Sequence, residues 1–305
     1  MRKKLHTLVL VALVAAVTLI GWTHPARVGA ASPRDATART NGPLALTFGV
    51  YRTDKATTMY RQFLPIVEAL QEDLSGALKR PVEIELKIYK TYQEGLDSLV
   101  EGSADFVRFG PASYILAKER NAAIELLAME HQDGKKRFKG VIVVRQNDSA
   151  TALADLRGRS FAFGDENSTI GRYLAQAALV RAGIHANDLR GFAFLGRHDA
   201  VAAAVQIGDY DAGSLQVSTF EKLNKENKLR VLSSFENVTK PWVARAGLDA
   251  EVRKALTNVL IHFDDEALLK PLKMSGFMAT SDEEYAFVRE GMKVADEQFA
   301  GKRSQ

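Results

Sequence analysis

Residues 161–171 read Phe-Ala-Phe-Gly-Asp-Glu-Asn-Ser-Thr-Ile-Gly, and they describe a place where an anion can sit. Phe161 and Phe163 alternate as in a short buried strand, Gly164 ends it, and Asp165–Asn167 is turn material. Ser168 and Thr169 are residue types that cap helices, and the spacing predicts a helix over 169–182. The first N–H groups of such a helix have no internal partner and carry the positive end of the helix dipole. Two hydroxyls beside free N–H groups suit phosphate, sulfate or carboxylate. Gly171 lets a ligand or another backbone approach closely. An ordinary strand–turn–helix with a good cap reads the same way, so the elements around this stretch must decide.

Strand and helix patterns alternate along the chain. Strands are expected at Leu44–Tyr51, Val82–Tyr89, Asp105–Phe109, Ala123–Met129 and Phe138–Val144. Met59, Phe63, Ile66, Val67, Leu70 and Leu74 recur at helical spacing in Thr57–Leu78, with Pro65 inside as a kink or a shifted start. Shorter helices are expected at Tyr92–Val100 and, opened by Gly110-Pro111, at Ala112–Arg120. A second round follows, with strands at Ser160–Phe163, Leu189–Leu195, Tyr210–Ser214 and Leu229–Phe235, and helices at Thr169–Ala182, Asp199–Ile207 and Val217–Asn224. Three helical stretches close the chain at Asp249–His262, Asp265–Lys273 and Asp282–Gln298. This alternation predicts α/β layers with mostly parallel sheets, and two rounds predict two lobes with a cleft between them. Lobe 1 is expected over 44–145 plus 233–298 and lobe 2 over 146–232, with 299–305 a tail.

Composition narrows the function. Arg2-Lys3-Lys4, the apolar run Leu8–Ile20 and Val28-Gly29-Ala30-Ala31 have the layout of a secretory signal peptide, expected over 1–31 and followed by a flexible leader over 32–43. No later segment is apolar enough to span a bilayer, so a soluble exported (periplasmic) protein is expected. The formal charge of +4 is misleading. Of the 41 Lys and Arg, four lie in 1–31, where no acidic residue does; the 37 that remain equal the 37 Asp and Glu. A neutral chain without basic blocks argues against a nucleic-acid partner. The absence of cysteine excludes disulfides, a thiol nucleophile and thiolate metal sites. His131, His185 and His262 share no ligand spacing, so no metal site is expected, and no cofactor. No catalytic set emerges either: Gly-x-Ser-x-Gly, His-Glu-x-x-His and the phosphate loop are all missing, and no enzyme is expected.

Six segments resemble one family. Phe163-Gly-Asp-Glu-Asn-Ser-Thr169 is similar to the phosphate-binding turn of the periplasmic phosphonate/phosphite/phosphate-binding proteins, the receptors of ABC importers. Ala104-Asp-Phe-Val-Arg-Phe-Gly-Pro-Ala-Ser-Tyr114 resembles their first-lobe turn. Gly140–Arg145 resembles the strand entering the second lobe, with Leu153–Gly158 after it. Gly196-Arg-His-Asp-Ala200 resembles the turn with a ligand-binding histidine, and Gly208–Ala212 the strand beyond it. The resemblance covers about residues 44–298. It implies a two-lobed type II periplasmic-binding fold, each lobe a sheet flanked by helices, closing on its ligand at the hinge. By position it implies that Ser168, Thr169 and His198 hold phosphoryl oxygens, that Tyr92 and Phe109 face the ligand, and that Asp211 receives a ligand amine. Tyr51, at the end of the first strand, is a further cleft candidate.

Three positions depart from the family pattern. Ile170 stands where the strongest phosphonate binders have a third hydroxyl, Phe109 replaces a tyrosine, and Arg108 stands where an apolar or aromatic residue is commoner. Arg108 is expected to replace part of the missing hydroxyls, since a guanidinium pairs bidentately with oxyanions. The function expected is capture of phosphate, phosphite or a phosphonate for an importer permease, by a monomer. The alternative is a sensing domain that feeds a histidine kinase or a cyclic-nucleotide system. An enzymatic use of the fold lacks a base–nucleophile pair.

Overall fold

The structure, a computed structural model, describes residues 42–299. The expected signal peptide, most of the expected leader and residues 300–305 lie outside the described residues. Two sheets organise the chain. The first is built on β1 (Leu44–Tyr51), which runs parallel to β2 (Val82–Tyr89) in the register Leu44–Val82 and to β3 (Phe106–Arg108) on its other side. Beyond β3 lie β10 (Pro241–Ala244), β4 (Glu125–His131) and β11 (Gly276–Met278), all antiparallel to their neighbours. The second sheet runs in the order β7 (Gly191–Phe194), β6 (Ser160–Phe163), β8 (Ala212–Gln216), β5 (Arg137–Arg145), β9 (Leu229–Val238). Here β6 is parallel to β7 and β8, and β5 is antiparallel to β8 and β9.

Both sheets are therefore mixed rather than mostly parallel. The antiparallel pairs come from strands that enter or return across the molecule, which no crossover helix forces into parallel register. Strand β5, expected in lobe 1, pairs only with strands of the second sheet. The chain changes sheets at 132–136 and again at 239–240. Those two crossings lie side by side, joined by the Thr239 N–H donating to Lys136 O (2.9 Å) and the Glu130 N–H donating to Lys240 O (3.0 Å).

Helix α1 (Ala56–Leu78) packs its stripe of Met59, Phe63, Ile66, Val67, Leu70 and Leu74 onto the first sheet and runs unbroken through Pro65. Each such side chain, fully buried, contributes about 1.5–3 kcal/mol. Trp242 seals the same core, stacked on Phe48 with ring centroids 4.5 Å apart. α7 (Ala250–His262) covers this sheet as expected of a returning C-terminal helix. The last helix does more. α9 (Ala286–Val294) puts Val288 and Met292 beside Tyr114 of the first sheet's side. Its continuation, Ala295–Phe299, seats Phe299 against Phe163 (5.5 Å) and Phe192 (5.6 Å) of the second sheet. Phe299 belongs to this turn and not to a tail.

Candidate functional site

Segments from both sheets converge on one cavity. The end of β1 brings Tyr51, buried and stacked on Tyr92 with centroids 3.8 Å apart. Tyr92 opens α2 (Tyr92–Val100), whose N-cap Thr91 accepts from the Glu94 N–H at 3.1 Å. β3 ends in Arg108, and Phe109-Gly110 leads into α3 (Pro111–Arg120), with proline at the first helical position. The Gly110 N–H donates to the Tyr51 hydroxyl at 2.6 Å, and that hydroxyl lies 2.9 Å from Ser113 Oγ. Burial pushes the Tyr51 phenol up to about 12, so it stays protonated.

From the second sheet, Ser168 caps a turn over Thr169–Tyr173 that leads into α4 (Leu174–Arg181). Ser168 Oγ accepts from the Gly171 N–H at 2.9 Å. Gly171 indeed allows a close approach, of backbone: its carbonyl accepts from Gly164 N–H at 2.8 Å, and a Cβ there would stand 2.8 Å from Gly164 Cα. Thr169 does something the capping pattern did not foretell. Its Oγ1 accepts from the Ala112 N–H at 2.8 Å, so a hydroxyl of the second sheet's side sits on the free start of α3 on the first sheet's side. Two helix starts thus face one another. His198 opens α5 (His198–Ile207), is 6% exposed, and keeps Nδ1 without a partner. Burial and then the Lys240 ammonium push its ring down to about 4, against the pull of Asp199, so it is neutral at pH 7.

These residues enclose a cavity of about 30 Å³, lined among others by Tyr51, Tyr92, Arg108, Phe109, Ser168, Thr169 and His198. That is room for one or two waters. Seven of the eight residues singled out in the sequence are brought together here. Asp211 is not: its carboxylate accepts from Arg145 (3.1 Å), Arg190 (2.8 Å) and the Ser160 N–H (2.9 Å), at a structural junction of the second sheet. Its burial raises the carboxyl, but the Ser160 hydrogen bonds and these arginines outweigh it and hold the value low.

Arg108 is also differently placed from what its isolated sequence position suggests. Its Nε and Nη2 are committed to Glu130, the latter at 3.0 Å, and Glu130 also accepts from Trp242 Nε1 at 3.1 Å. Burial alone would raise the Glu130 carboxyl; the Arg108 charge reverses this and lowers it. The pair is internally neutral. The uncompensated charge at the wall is Lys240, in the second crossing, whose Nζ lies 5.0 Å over the Phe138 ring and has no carboxylate partner among the described residues. Burial, then Arg108, pushes it down to about 8, with Glu130 opposing. Lys240, Gln216 and Asn237, whose buried Oδ1 lacks a partner, were not among the site residues expected from the sequence. A lone lysine before Pro241 carries no local signal; only the sheet-to-sheet crossing puts it here. Among the described residues no group of His, Cys, Asp and Glu fits a metal ion.

The arrangement offers hydroxyls, helix-start N–H groups and a cation to an anion, and no carboxylate among the described residues lines the cavity. Comparison with known proteins agrees. A family described as "ABC transporter, phosphonate, periplasmic substrate-binding protein" matches residues 48–285. A probable ABC transporter phosphite-binding protein of Prochlorococcus marinus is 30% identical over 210 residues, 62% of this chain and 70% of that protein. A phosphate-import protein of Mycolicibacterium smegmatis is 23% identical over 195 residues, 61% of this chain and 59% of its own length. In fold, the chain is similar to the solved structure of the Prochlorococcus marinus protein in complex with methylphosphonate, at a TM-score of 0.72 and 24% identity, covering 84% of this chain and 100% of that one.

Proposed function

The chain belongs to the periplasmic phosphonate-binding proteins of ABC transporters, and from that premise we propose that it captures a phosphorus oxyanion in the cavity between its sheets for an importer permease. One observation carries the reading: the starts of α3 and of the 169–181 helix meet across a single cavity with the unpaired Lys240 in its wall. Oxyanions take such donors in preference to water because hydrogen bonds to a charged group contribute about 1.5–3 kcal/mol each. Ser168, Thr169 and the two helix starts hold the phosphoryl oxygens, with His198 donating from its neutral ring. Tyr51, Tyr92 and Phe109 form the apolar wall. Arg108, held by Glu130, contributes its field rather than a bidentate grip. The lobes that close on the ligand correspond to the two sheets, and the protein works as an exported, soluble monomer.

The test is a thermal-shift panel on the purified protein, refolded to remove carried-over ligand: phosphate, phosphite, methylphosphonate, sulfate and citrate. A ligand at a hundred times its Kd adds about 2.7 kcal/mol. At about 2–4 °C per kcal/mol this is readily seen. Stabilisation by a phosphorus oxyanion supports the reading; stabilisation by none of them refutes it.

A further inference from the structure

Beside the inner cavity lies a chamber of about 360 Å³, and the two share Thr53, Arg108, His198, Gln216 and Lys240 in their walls. A group held at the helix starts therefore has its substituent directed past these five side chains. The chamber is of the size that small-molecule sites use.

Its charges are not balanced. The carboxylates in its wall are Asp54 and Glu221. Asp54 is 2.7 Å from Lys222, and Glu221 is 2.7 Å from Lys273. Arg108 is matched by Glu130. Lys240 at the threshold and Lys225 in the far wall have no acidic partner among the described residues. No carboxylate there lacks a cation, and Asp211, the one acid that sequence placed for a ligand amine, is locked elsewhere by Arg145 and Arg190. At the same threshold the buried Nδ1 of His198 is unpartnered. An ammonium-bearing substituent would meet only cations and spent carboxylates. An anionic one would meet Lys240 on entry.

We propose that the ligand carries two anionic groups: a phosphonate or phosphate monoester held at the helix starts, and a carboxylate or equivalent anion on a short substituent, read by Lys240. This inference rests on the receptor reading above and narrows its ligand class. It makes Lys240 a specificity-determining residue.

The experiment is titration calorimetry at neutral pH and fixed salt with four probes: methylphosphonate, propylphosphonate, aminoethylphosphonate and carboxyethylphosphonate. Carboxyethylphosphonate should bind at least about tenfold more tightly than its neutral counterpart propylphosphonate and than aminoethylphosphonate, the scale of one charge-assisted contact. Lys240→Met should bring the ratio between carboxyethylphosphonate and propylphosphonate to about one. If methylphosphonate binds but the other three bind equally, or aminoethylphosphonate binds best, the inference falls and the receptor reading stands. A carboxylate preference that survives Lys240→Met also overturns it. If none of the four binds, the receptor reading falls and takes the inference with it. Should Lys240→Met not fold, the wild-type ratios decide the matter alone.

Discussion

Mild acid should destabilise this protein through one ring. His198 is 6% exposed, with an ordinary value of 6.5 pushed down to about 4 by burial and by Lys240. The folded state thus binds the proton less readily than the unfolded chain. Its contribution is complete above about pH 6.5 and is lost as the pH falls through the folded value. Linkage between those two values gives a loss on the order of 2–3 kcal/mol between pH 7 and pH 4.5. For a domain of this size that is roughly 5–10 °C in Tm. The assay is calorimetric melting of the wild type and of His198→Gln across that range. Carboxylates titrate in both proteins and cancel in the difference. The wild type should lose roughly 5–10 °C more than the variant. A bound oxyanion should reduce the loss, since it favours the imidazolium. Parallel curves for the two proteins would refute the burial argument.

Other outcomes follow from the same packing. Arg108→Ala strands the Glu130 carboxylate in the core and should cost about 3–5 kcal/mol in urea unfolding, most of it restored by adding Glu130→Gln; a loss within error would mean the pair is solvated. Gly171→Ala forces a Cβ to 2.8 Å from Gly164 Cα and should destabilise by about 1–3 kcal/mol. Gly76→Ala, where nothing lies within 4 Å, should instead stabilise α1 by up to about 1 kcal/mol, and chemical denaturation of both variants checks the contrast. Lys240, faced by Arg108, Glu130 and His198, loses its proton near pH 8, so oxyanion affinity should fall by up to about tenfold per unit above that pH in titrations; a flat profile would remove Lys240 from the site.

The sequence was most legible where one periodicity ruled. The stripe of α1 and the alternation of β2 predicted both their type and their buried faces, β1 showed its type by apolar content, and α1 kept its course through Pro65 because packing along the whole stripe outweighs one lost hydrogen bond. Three- and four-residue strands such as β10 and β11 are too short to show a period, so the antiparallel half of the first sheet stayed hidden. The site divides the same way. Ser168, Thr169 and His198 sit at helix starts, which leave local marks. Lys240 and Glu130 owe their place to the crossings between sheets, and nothing within a few residues of them reports that. Asp211 shows the converse. It has the right type beside the right turn, but Arg145, Arg190 and Ser160 occupy both of its carboxylate oxygens.

The last helix has a mechanical consequence. Two hydrogen-bonded strands crossing side by side form a ribbon, and a ribbon that joins two bodies allows both bending and torsion. The span from Val288 to Phe299 is a brace that starts against that ribbon, where Lys136 pairs with Glu284 and the Arg137 guanidinium lies over Phe287, and ends in the Phe163–Phe192 nest. A brace anchored at the ribbon and in the far sheet resists torsion of one half against the other. The brace thereby holds the two helix starts in one alignment across the cavity.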